Sequence, residues 1–216
     1  MTRKLSLTVD GKNVAVYLHK GDLPDSVSFN GPVAVDSETM GLSLIRDPLC
    51  LVQISDGGPE AHLVQLDRTS YDAPNLKRVL TDPERLKLFH FARFDLAVLE
   101  KYLGVQVNPV YCTKIVSKLV RTYTDRHGLK DITAELLGIE LSKQQQSSDW
   151  AAATLSEQQL AYAAADVLHL HALKAKLDAM LEREGRGAYA KAAFEFLPTR
   201  ARLDLAGYGE DDIFSH

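Results

Sequence analysis

Along the first third of the chain apolar and polar residues alternate with a period of two, the mark of half-buried strands. LSLTV (5–9) and VAVYLHK (14–20) flank Asp10-Gly11-Lys12-Asn13, which suits a tight hairpin turn. PVAVDSET (32–39), LCLVQIS (49–55) and AHLVQL (61–66) follow, the last two separated by Gly57-Gly58-Pro59. This part reads as a set of antiparallel hairpins. The pattern then changes. APNLKRVL (73–80) predicts a short helix with Pro74 in its first turn, and KLFHF (87–91) a compact strand. FDLAVLEKYLG (94–104) has helical spacing and ends at a glycine. CTKIVSKLV (112–120) and LKDITAELLG (129–138) predict two more helices. Residues 156–184 read as one long helix opened by a capping box, Ser156 with Gln159, and 187–197 as a last helix. Strands first, then strand–helix alternation, then helices predict an α/β fold with a mixed central sheet flanked by helices, in a single domain over 1–216.

Composition narrows the classes without selecting one. The chain has 216 residues, 45% apolar and 25% charged, enough for a sizeable core. It has no apolar run of the roughly 18 residues a membrane span needs, and its start lacks the features of a secretory signal, so a cytoplasmic protein is expected. Cys50 and Cys112 are expected to be buried thiols. The net charge of −4 argues against a broad basic face that grips long nucleic acid, but leaves room for a local basic groove or a bound metal.

The candidate chemistry lies in the acids. Asp36 and Glu38 are two residues apart at the end of an apolar strand, which puts both on one face. Such neighbours repel unless a cation lies between them, and Mg²⁺ or Mn²⁺ prefers hard oxygen ligands. The plain alternative is a strand end where both acids are solvated. Asp95 sits near the start of a helix, where its charge suits the helix dipole. Asp166 stands among Ala, Val and Leu in the predicted long helix, where an apolar setting penalises charge. Tyr162, four residues earlier, shares its helix face.

VAVDSET, HFARFD and YAAAD, in that order, resemble the three motifs of the DEDD 3′–5′ exonucleases. The Tyr four before the last Asp marks the subgroup that contains ribonuclease D. Residues 128–173 are similar to the ribonuclease D segment throughout, including Lys143, Asp149 and Trp150. CTKIVSKLVRTYTDRHGLK, SKQQQSSDWAA and the late FLPTRARLDL resemble the short stand-alone members of the nanoRNase C group, which lack a separate helical nucleic-acid-binding domain. Phe91 stands where proofreading relatives often carry Asn.

The resemblance implies a ribonuclease H-like fold and a metal-dependent 3′–5′ exoribonuclease that releases nucleoside 5′-monophosphates from dinucleotides and other very short RNA. It implies two divalent cations, Mg²⁺ or Mn²⁺. Asp36, Glu38 and Asp166 would hold one, Asp36 and Asp95 the second, and Tyr162 would orient the attacking water. It also implies a homo-oligomer, a dimer-based octameric ring, with no membrane partner. Alternatives are a general exonuclease acting on longer RNA and DNA, a non-catalytic nucleic-acid-binding protein on the same fold, and an unrelated phosphohydrolase.

Candidates for substrate binding surround these motifs. Gly41 lets backbone approach a ligand, and Met40 or Leu42 is a wedge between terminal bases or a core residue at the strand end. His90 contacts sugar or phosphate near Asp95, or is a core histidine. Gln146, Ser147 and Ser148 close over the 5′ end of the substrate, or form a surface loop. Arg46, Arg121, Arg126 and His127 are candidates for local positive charge, while His169 and His171 read as structural.

Overall fold

The computed structural model describes residues 2–142 and 144–216. The predicted hairpin is formed by β1 (Thr2–Val9) and β2 (Lys12–Lys20). Asp10 and Gly11 make the turn with φ of 47° and 79°, the positive values a two-residue hairpin loop requires. The other strands are β3 (Val33–Thr39), β4 (Leu49–Ser55), β5 (Glu60–Gln65), β6 (Lys87–Phe89) and β7 (Val110–Cys112). They form one mixed sheet in the order β1-β2-β5-β4-β3-β6-β7.

The hairpin expectation is half right. The pairs β1/β2, β5/β4 and β4/β3 are antiparallel, but β2/β5, β3/β6 and β6/β7 are parallel. Alternation along a strand shows which side chains face a core; it does not show which strand lies alongside. β4 is buried at all seven positions because it is covered on both faces, and β3, beside it, is covered at the sheet centre.

Helices complete two cores. On one face, α3 (Thr113–Val120), α4 (Leu129–Leu137), α5 (Glu157–Leu168) and α6 (Leu170–Arg183) bury Leu51, Leu63, Leu88 and Leu160. On the other, α1 (Pro74–Thr81), α2 (Ala92–Leu103) and α7 (Gly187–Leu205) bury Val35, Val52, Phe89 and Leu99. The capping box at Ser156 is present as predicted, with both of its hydrogen bonds made.

Three elements differ from expectation. The long helix over 156–184 is two helices, broken at His169. No Gly or Pro marks the break. It is pinned by tertiary contacts: His169 Nε2 lies 2.7 Å from Asp10 Oδ2, and His171 Nε2 donates to the Pro32 carbonyl at 3.1 Å. α7 runs through Pro198 to Leu205, past the predicted end at 197. Its second half is tied to α2 by Arg93–Asp204 and Arg202–Glu100, which offset the one missing backbone bond. β7 was not anticipated, since three residues are too few to show a period.

Arg121 is not a surface cation. Its side chain is buried, donates to Ser117 Oγ and to the Arg126 carbonyl, and pairs with Glu135. Arg126 pairs with Asp131, His127 Nδ1 lies 2.9 Å from Ser117 Oγ, and Arg46 pairs with Asp47, so these groups are engaged within the chain.

Gly57, between β4 and β5, has φ +89°, and a Cβ there would stand 2.9 Å from the His171 ring. Gly57→Ala is expected to cost about 1–3 kcal/mol, combining backbone strain with loss of the His171–Pro32 tie. Urea denaturation measures it; a stability equal to wild type would show that this turn is unconstrained.

Candidate active site

The site is built at the end of the central strand. In β3, Val33 and Val35 are buried, while Asp36 and Glu38 share the opposite face, toward α5, and are only half-buried. The register of β3 on β4 shifts between Glu38 and Thr39, so regular pairing ends where the acids stand. Helix α5 packs across β1, β3, β4 and β5 and brings Asp166, in its last turn, to the same place. Ala163, Ala164 and Ala165 are buried, and their small side chains let this helix approach the sheet. The result is a group of three carboxylates, Asp36, Glu38 and Asp166, each offering an oxygen within 4.8 Å of the others.

Asp95 arrives from the other face of the sheet. It lies in the first turn of α2, is buried, and accepts a 2.6 Å hydrogen bond from Ser37 Oγ. Ser37 points away from Asp36 and Glu38 because neighbouring residues on a strand face opposite ways. Asp95 therefore reaches the site around β3 rather than joining the group of three.

The charges explain what the site can hold. Burial pushes the Asp36 carboxyl up to about 7, against partial relief from the Ser37 backbone. Burial, then Asp36, holds Asp95 and Asp166 well above the usual carboxylate range, with some relief from Ser37 and Tyr162 respectively. Glu38 is raised by burial and then by Asp36, Asp166 and Asp95. Among the described residues no Lys, Arg or His forms an ion pair with any of the four. Clustered oxygen donors that repel one another and lack a cationic partner fit hard divalent cations. Burial, then Asp166, Glu38 and Asp36, pushes the Tyr162 phenol far up, so it stays protonated and serves as a donor. Its ring packs on buried Trp150, with centroids 6.1 Å apart, which fixes its direction.

Gln53 escaped the sequence reading. It is fully buried on β4 directly across from Asp36, donates from Nε2 to Asp36 Oδ2 at 3.2 Å, and leaves its own Oε1 without a partner. A polar residue inside LCLVQIS, an otherwise apolar strand, was the available signal.

The other expected contacts divide. Met40 and Leu42 are 54% and 87% exposed, which removes the core alternative and leaves two apolar side chains beside the strand end. Gly41 serves the loop itself, since a Cβ there would collide with Asp47, which accepts from the Ser43 amide. His90 is neutral, its imidazole lowered to about 3 by burial and then by Lys114. Its Nδ1 lies 2.9 Å from Thr113 Oγ1, which donates to the Phe89 carbonyl, so the proton on that ring nitrogen belongs to His90. Ser148 bonds to Gln145, and the cavity beside Tyr162 is lined by Gln144 and Gln145 rather than by Gln146, Ser147 or Ser148. Of the Lys143, Asp149 and Trp150 element, Lys143 lies outside the described residues. Cys50 and Cys112 are free, buried thiols as expected.

Residues 21–182 match the protein family described as 3′-5′ exonuclease. This chain belongs to that family. The chain is 37% identical over 154 residues to ribonuclease D of Gluconacetobacter diazotrophicus, a match covering 71% of this chain and 39% of that protein. DNA polymerase I of Aquifex aeolicus is 36% identical over 147 residues, 68% of this chain and 24% of the polymerase. The chain thus spans well under half the length of these curated relatives. Brucella melitensis NrnC superposes with a TM-score of 0.90 at 55% identity, covering 93% of this chain and 98% of that one. NrnC has also been solved with bound Mg²⁺ and bound to pGG. The fold is the ribonuclease H-like fold of these exonucleases, and divalent-metal use follows from the family together with the carboxylate group.

Two expectations follow from the electrostatics. Acids whose folded pKa values lie above the ordinary range favour the folded state below about pH 4, and that contribution is lost as pH rises through about 7 for Asp36, with its neighbours raised in the same direction. In EDTA the Tm should therefore fall between pH 5 and 8, and Mn²⁺ should restore more at pH 8 than at pH 5. Asp36→Asn should raise the EDTA Tm at pH 8 and abolish the Mn²⁺ response; calorimetry decides, and an unaltered Mn²⁺ response would sink the metal assignment. Gln53→Leu should leave the fold intact and lower Mn²⁺ affinity or activity about 10–100-fold by freeing Asp36, as read by metal titration.

Proposed function

We propose that this exonuclease degrades very short RNA, dinucleotides above all, from the 3′ end and releases nucleoside 5′-monophosphates with two divalent cations. The observation that carries this reading is the half-buried group of Asp36, Glu38 and Asp166, with Tyr162 one helical turn from Asp166. It is supported by the likeness to NrnC over 98% of that chain's length. That NrnC binds pGG is the reason for preferring short RNA.

Asp36, Glu38 and Asp166 would hold one cation, and Asp36 with Asp95 the other. Bound there, the cations supply Lewis-acid stabilisation of charge on the phosphodiester oxygens and acidify a water. The chain's own groups do the rest. Gln53 fixes the direction of Asp36, and Ser37 fixes that of Asp95. Tyr162, its phenol held up by burial and the neighbouring acids, would donate to the water oxygen and aim it at phosphorus. Met40 and Leu42 are apolar, exposed and adjacent to the acids, and would press on the terminal bases. His90, being neutral, would contribute at most a hydrogen bond.

A second reading, a general exonuclease that also cuts DNA, is favoured by the match to a DNA polymerase I. We place the enzyme in the cytoplasm as a dimer-based octameric ring; light scattering giving a monomer at working concentration would remove the ring. No helix among the described residues is long and apolar enough to cross a membrane.

Rates on an RNA dinucleotide, an RNA 20-mer and a DNA 20-mer, with Mg²⁺ and with Mn²⁺, test the substrate. The dinucleotide should be fastest, and equal or faster cleavage of the longer strands would overturn its place as the preferred substrate. Tyr162→Phe should lower kcat on the dinucleotide about 100-fold with little change in KM, because its bond to the water matters mainly in the transition state. Asp166→Asn should abolish turnover, and stopped-assay product analysis would expose any residual cleavage.

A further inference from the structure

A second groove opens behind Phe91. Phe91 is the residue before α2, with φ 70°, and Asp95 lies in the first turn of that helix, so one wall of the groove is carried by the element that carries Asp95. Between α2, α3 and the segment after α7 lies a cavity of about 470 Å³, a size that holds nucleotide-sized ligands. Phe91 is 44% exposed on its wall, and Lys114 Nζ stands 4.1 Å from the ring centroid. Lys118 follows one turn later. Among the described residues neither lysine has an ion-pair partner, and each repels the other; Lys114 is lowered by burial and then by Lys118.

The same cavity is lined by Glu210, Asp211 and Asp212. Their segment is held through its backbone. Arg200 donates to the carbonyls of Tyr208 at 2.7 Å, Gly209 at 3.0 Å and Asp211 at 3.1 Å, and Arg93 donates to Gly209 at 2.6 Å. Phe214 packs on Phe196, with centroids 5.9 Å apart. None of the three carboxylates is in an ion pair among the described residues. Two lysines with an aromatic face and an acidic segment thus line one cavity, with the Asp212 carboxylate accepting from the Phe214 amide and Glu210 near Arg93.

We propose that this groove receives the nucleotides that lie 5′ of the two flanking the scissile phosphate, present only in substrates longer than a dinucleotide, with a base on Phe91 and phosphates on Lys114 and Lys118, and that residues 210–212 compete with them for the two lysines. The inference rests on the exoribonuclease reading and deepens it. Stacking on an aromatic ring beside cations is how single strands are held without sequence preference. Longer strands must displace the acidic segment, whereas a dinucleotide has no nucleotide to place there. The fold itself then biases the enzyme toward short RNA.

The test is the ratio of kcat/KM on an RNA 20-mer to that on an RNA dinucleotide, with fluorescence anisotropy of a labelled 20-mer in EDTA as a readout independent of catalysis. Neutralising the segment (E210Q, D211N and D212N together) should raise the ratio about tenfold and tighten 20-mer binding. Neutralising the lysines (K114Q with K118Q) should lower the ratio about tenfold and reduce the salt slope of binding by about one to two. An unchanged ratio in the acidic-segment variant overturns the competition. Parallel losses on both substrates in the lysine variant overturn the upstream subsite. A wild-type protein that binds the 20-mer but cuts neither RNA would instead remove the exoribonuclease reading and leave the groove standing.

Discussion

Everything in this molecule is arranged around a repulsion. Asp36, Glu38 and Asp166 are pressed into one half-buried place with Asp95 buried on the far side of the strand, and burial first, then the neighbouring acids, makes Glu38, Asp95 and Asp166 hard to ionise. Such a cluster costs stability in the metal-free chain. It persists because the elements that carry the acids are fixed by contacts the acids do not make. β3 is hydrogen-bonded on both sides, to β4 and β6, and its Val33 and Val35 are fully buried. α5 is sealed to the sheet by Leu160, Ala163, Ala164 and Val167. That cluster of oxygen donors without a cationic partner is what suits the place to divalent cations.

The supporting groups are few and mostly neutral. Gln53 holds Asp36 from the facing strand, Ser37 holds Asp95 from the strand between them, and Trp150 orients Tyr162. A lysine or arginine in any of these places would neutralise the site and compete with the cation. The chain keeps its cations elsewhere: Arg121 inside a structural cluster, Arg93 and Arg200 against Asp204 and the backbone after α7, Lys87 against two carbonyls. Lys114 and Lys118, without ion-pair partners among the described residues, line the groove behind Phe91 together with the acidic segment 210–212.

Much of this was legible in the residues. The spacing of Asp36 and Glu38 on an apolar strand fixed their shared face, and a charged residue among alanines marked Asp166 as needing a reason. The motif order carried the family. Gln53 was harder to see, because one glutamine in a buried strand gives no period and no motif; its role depends on lying opposite Asp36 in a neighbouring strand. The break at His169 was invisible for a similar reason: apolar spacing runs smoothly across it, and the contacts that make it, to Asp10 and Pro32, come from residues more than a hundred positions away.

The amino-acid order by itself determined the local elements, the faces they bury and the identity of the acids, because periodicity, capping and turn chemistry act over a few residues. Only the tertiary structure decided that β5 pairs parallel to β2, that Asp95 reaches the site from the far face of the sheet, and that Arg121 is buried rather than offered to a substrate. Those outcomes depend on which distant segments become neighbours, and neighbourhood is set by closing two cores at once around a shared sheet.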